Sequence, residues 1–163
     1  MNKAWTIIEK IIAVLLSIWG IIALYGVASA VSSMSHSSYA IVKHISYFQL
    51  LLNNHLYFLL ALATIFSGFL LLFNDKLGWV LSTSCVAVYM ITFFRTSQAS
   101  STDSSQLYYV FSKSYSLMAL LFLIMLALLI QKPFIKKYHV TFKNWILVAV
   151  IVTVLILDKL FLK

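Results

Sequence analysis

The chain is poor in the residues that build a soluble surface and the turns beneath it. Of its 163 residues, only four are acidic, one is proline, four are glycine and one is cysteine. A lone Cys85 excludes a disulfide scaffold. So little proline and glycine excludes collagen-like repeats and Pro/Gly-rich disorder. Charged residues make up 10% of the chain, against about a quarter in a soluble domain, so a folded surface could not be kept wet. What is abundant is apolar: 63% of residues are hydrophobic and the mean hydropathy is +0.99. The class that fits is an all-α, polytopic integral membrane helical bundle.

The 12 Lys and Arg leave a net charge of +8. In a soluble chain that balance would suggest nucleic acid. Here the cations stand between apolar runs with no aromatic-interleaved basic patch, so no nucleic-acid partner is expected. Lys and Arg that flank membrane spans set orientation and meet anionic headgroups, which makes the lipid bilayer the first partner.

The charges punctuate a single transmembrane domain, residues 1–163, into about five spans with short loops, near 7–31, 47–73, 77–94, 108–131 and 144–162. The last is short and needs Lys143 and Lys159 to snorkel. Four spans are the alternative, because Lys3 and Lys10 followed by an apolar run and Ala28-Ser29-Ala30 also fit a cleaved signal peptide. With five spans and the N-terminus inside, Lys3, Lys10, Lys76, Lys132, Lys136, Lys137 and Lys143 fall inside. Lys43, Arg95, Lys113, Lys159 and Lys163 fall outside. The lysine-dense stretch 131–144 lies on the inner side and both Ser/Thr-rich loops on the outer, so the two signs of orientation agree. Scarce Arg, Gly and Pro beside much Lys, Ile, Ser and Asn fit a bacterial cytoplasmic (inner) membrane.

Small residues recur along the first span at Ala13, Ser17, Gly20, Ala23, Gly26 and Ala30, in steps of three and four. Such a seam lets a neighbouring backbone approach closely, within the bundle, in a homo-oligomer or in a membrane-protein partner. Gly78, Ser82 and Cys85 make a similar stripe on the third span. Asn74-Asp75-Lys76 is a connection short enough to force the second and third spans into an antiparallel hairpin.

Catalytic chemistry lacks its components. Glu9, Asp75, Asp103 and Asp158 form no pair at helical spacing, and no metalloprotease, phosphate-loop or nucleophile-elbow motif occurs. His44 and His55 share a helix face but would lie roughly 16 Å apart along the axis, too far for one metal. No enzyme, metal or cofactor is expected. Two clusters stand out instead. Asn53, Asn54, His55, Arg95, Tyr108, Tyr109 and Lys113 could form an outward-facing polar vestibule, because polar groups at membrane depth are expensive unless wet or paired. Equally, they could be caps and an aromatic belt. On the inner side, Lys132, Lys136, Lys137 and Lys143 are candidate contacts for lipid headgroups.

Pro133 should end the fourth span, and residues 131–144 show no clean period, which suggests a segment lying along the headgroup plane. Glu9 beside Lys10 and Lys3 reads as an interfacial ion pair. Functionally, these signs favour a small accessory or subunit protein that packs against a membrane partner. A small transporter or channel using the vestibule, and an immunity-type protein against a pore-forming toxin, are the alternatives.

Overall fold

The structure, a computed structural model, describes residues 3–36, 47–101 and 106–161. Among them every regular element is an α-helix: α1 Lys3–Ser35, α2 Tyr47–Asn53, α3 His55–Leu72, α4 Lys76–Ser101, α5 Gln106–Leu129, α6 Lys132–Lys137 and α7 Phe142–Phe161. The all-helical class expected from sequence is observed. Three helices, Lys3–Ser35, His55–Leu72 and Lys76–Gln98, are long and apolar enough to cross a membrane; the apolar stretches Lys113–Leu129 and Phe142–Leu157 are shorter. Large apolar side chains such as Ile7, Ile11, Ile18 and Ile21 on α1, and Leu117, Leu120 and Ile124 on α5, are exposed. So much uncovered apolar surface suits a membrane location, where it meets lipid rather than water.

α4 is the central helix, packed on α3, α5 and α7. Its run Ser82–Thr83–Ser84–Cys85–Val86 is buried throughout. Helix carbonyls satisfy the hydroxyls: Thr83 donates to Trp79 O at 2.8 Å and Ser84 to Val80 O at 2.9 Å, while Ser82 crosses to Ser67 O of α3 at 3.3 Å. A polar run can therefore sit at the centre without orphaned groups. Trp79 Nε1 donates to the Leu129 carbonyl at 2.9 Å and its ring meets Trp145 edge-on at 5.3 Å. One side chain thus ties the start of α4 to the end of α5 and the start of α7.

α1 packs antiparallel on α3 through small residues. A Cβ added at Gly20 would lie 2.8 Å from Ile65 N, and one at Gly68 would lie 2.6 Å from Ala13 O. One at Gly78 would lie 2.5 Å from the Leu70 and Leu71 backbone. Only hydrogen fits at these three positions. The first half of the small-residue seam is thus spent inside the chain, on α3.

Two expected elements differ. The second span is broken at Asn54, where φ −108 and ψ 16 leave helical geometry and Nδ2 donates to Leu50 O at 2.9 Å. Asparagine's short amide competes with the helical backbone in this way. The stretch after Pro133 was expected to be aperiodic; instead Lys132–Lys137 is helical, with the proline in its first turn, where no N–H is needed. Phe134 and Tyr138, four residues apart, are both buried. The period is too brief to stand out beside the lysines.

The two sharp reversals use the same closure. Asn74 (φ 59) and His139 (φ 46) are left-handed. Around Asn74, its own N–H reaches Leu71 O at 3.1 Å and the Asp75 N–H reaches Leu70 O at 3.0 Å. Around His139, the matching bonds run to Lys136 O at 3.3 Å and from the Val140 N–H to Ile135 O at 3.0 Å. This is the Schellman pattern, which satisfies the last carbonyls of a helix and turns the chain back. Both closures lie at the end of the bundle where α1 begins, here the hairpin end; the opposite end is the open end.

Candidate functional site

At the open end α1 packs on α2 and keeps Val31 buried, yet leaves space beside Gly26. A cleft of about 370 Å³ opens there, walled by Ala23, Gly26 and Ala30 of α1, by Asn54 and Tyr57 around the α3 start, and by Tyr89, Thr92 and Phe93 of α4. A Cβ added at Gly26 would meet nothing within 4 Å. The cleft floor is an aromatic column: Tyr89 stacks on Phe122 at 5.2 Å, Phe93 stacks on Phe122 at 5.7 Å, and Trp19 meets all three rings edge-on.

The residues expected to form one polar vestibule are divided. Asn54 lines this cleft, with its amide turned back to Leu50 O. His55 Nδ1 donates to Leu52 O at 2.6 Å, also on its own chain. Arg95 lines a different cleft, of about 480 Å³, between α4 and α5 with Phe94, Ser116 and Leu120. Lys113 is exposed on α5. The side chains of Asn53, Tyr108 and Tyr109 lie outside the described residues. Among the described residues, three or more His, Cys, Asp or Glu nowhere converge on a metal position.

The hairpin end holds a polar cluster that sequence reasoning missed. Glu9, 2% exposed, pairs with Lys137, and Tyr138 OH donates to its other oxygen. Lys137 also donates to Asn74 Oδ1. The expected partners of Glu9, Lys10 and Lys3, are exposed on α1 instead. Lys10 extends from the neighbouring face because one residue along a helix is a turn of about 100°. The signal was present in the spacing. Stepping the seam back four residues from Ala13 lands on Glu9, in phase with buried Ile12, Leu16 and Gly20.

Of the four lysines expected on the inner side, Lys132, Lys136 and Lys143 are exposed, while Lys137 is half-buried against Glu9 and Asn74. Side by side in sequence, Lys136 is exposed while Lys137 is drawn in toward Glu9. No family model, curated protein or solved structure matches the chain.

Proposed function

We propose that the protein is a five-span subunit of a bacterial cytoplasmic membrane, N-terminus inside, that binds a transmembrane helix of a partner protein in the open-end cleft. It performs no chemistry of its own in this reading. The observation that carries it is the unfilled space at Gly26. Ala13, Ser17 and Gly20 have already found their helix in α3, whereas Ala23, Gly26 and Ala30 continue the same seam along an open wall. Helices associate in lipid through close backbone approach at small residues, so the open half of the seam offers what the closed half has used. Tyr57 at the rim gives an incoming helix an aromatic surface.

The inner lysines supply orientation. Lys132, Lys136 and Lys143 reach anionic headgroups, each adding about 1 kcal/mol near the surface. A carrier reading would use one outward vestibule, and it is weakened by the division of Asn54 and Arg95 between two clefts.

Cross-linking in native membranes tests the proposal. In a Cys85→Ala background, a thiol-reactive photo-cross-linker at Gly26→Cys should give one discrete protein adduct. The same probe at exposed Ile18→Cys should give lipid adducts alone. A monomeric, lipid-only pattern at Gly26→Cys would sink the reading. Impermeant maleimide on intact cells should label Ser33→Cys and spare Lys76→Cys if the orientation is right.

A further inference from the structure

We infer that α6 is a strap latched onto α1 by charge, and that the adjacent Lys136 and Lys137 have separate tasks: Lys137 holds the latch and Lys136 faces outward. The latch has two rungs. In the first, Trp5 meets Phe134 edge-on at 5.7 Å. In the second, one turn further along both helices, Glu9 takes Lys137 on one carboxylate oxygen and Tyr138 OH on the other. Each rung is an i, i+4 step on both partners, so two short helical faces match in register. Lys137 also donates to Asn74 Oδ1, so three chain segments meet at one ammonium. Its charge lies 5.4 Å from the Tyr138 ring centroid.

The charges nearest in sequence do not substitute for Lys137. Lys3, Lys10 and Lys76 are exposed, and the exposed Asp75 accepts the Leu77 N–H at 3.0 Å. With Lys137 gone, Glu9 would be a charge among apolar side chains with one neutral donor left, a state far more costly than the pair. The strap is bounded by an extended residue, Gln131 (φ −65, ψ 147), and a left-handed one, His139 (φ 46), and its release would uncover Phe134 and Tyr138, which are buried in the core. In the proposal those two positions are the hinges, and α5 and α7 keep their own packing on α4.

Hydrogen exchange of the full chain in lipid nanodiscs tests this, and its readout needs no partner. Peptides over 131–141 should exchange at least tenfold faster in Glu9→Gln and in Lys137→Gln, and at the native rate in Lys136→Gln. The double exchange Glu9→Lys with Lys137→Glu should recover most of the protection, with α4 protected throughout. Indistinguishable α6 exchange in Lys136→Gln and Lys137→Gln would overturn the latch. So would loss of α4 protection along with α6, because the pair would then support the whole bundle rather than hold a strap.

Discussion

Gly20 and Gly26 lie six residues apart on one helix and do opposite things. At Gly20 a Cβ would collide with the backbone of α3; at Gly26 it would enter open space. The same contrast divides the molecule. At the hairpin end, two Schellman closures, close glycine contacts and a buried ion pair draw the helices together. At the open end, clefts indent the seams between α1 and α4 and between α4 and α5, and a further cleft of about 400 Å³ between α1 and α5 begins nearer the hairpin end, at Ile8. One sequence pattern, a run of small residues, serves both ends. What it becomes depends on whether another helix has already filled it.

The comparison breaks first at the ion pair. Lys137→Gln should make α6 easier to open by about 3 kcal/mol while α4 keeps its protection, the low end for a broken pair because Lys137 keeps 22% of its side-chain surface exposed. Hydrogen exchange over 131–141 measures the loss, and a change no larger than that in Lys136→Gln would contradict the pairing with buried Glu9.

Gly68→Ala comes next, at about 1–3 kcal/mol, since its Cβ meets Ser17 and the Ala13 carbonyl and the two helices must part. Trp79→Phe should cost about 1 kcal/mol for the lost bond to Leu129 O, and Trp fluorescence would lose its buried component. The smallest effect sharpens the contrast. Gly26→Ala should leave stability unchanged or raise it by under about 1 kcal/mol, through helix propensity alone. With the probe moved to Ala30→Cys, Gly26→Leu should remove the cross-linked adduct while the unfolding midpoint holds.

Much of the helical plan was legible because charge and turn residues are local signals. The hairpin at 74–76 follows from a connection three residues long, and the end of α5 from the missing N–H of Pro133. Asn54 was singled out as polar but not as a helix break, since its amide can cap, hydrogen-bond its own backbone or reach across with equal ease. Glu9 was misassigned for a similar reason. Lys10 is its neighbour in sequence, whereas Lys137 lies 128 positions away and meets it only once α6 has folded back.

Composition and periodicity by themselves determined the apolar, membrane-compatible character of the helices, the helical class and the small-residue seam, because each is a property of residues within one or two helical turns. Only the tertiary structure decided which half of that seam is filled, which lysine of an adjacent pair meets Glu9, and that Asn54 and Arg95 belong to separate clefts. Those outcomes depend on which helix faces meet across the bundle. Contacts of that kind are set by packing between distant segments, and no local spacing encodes them.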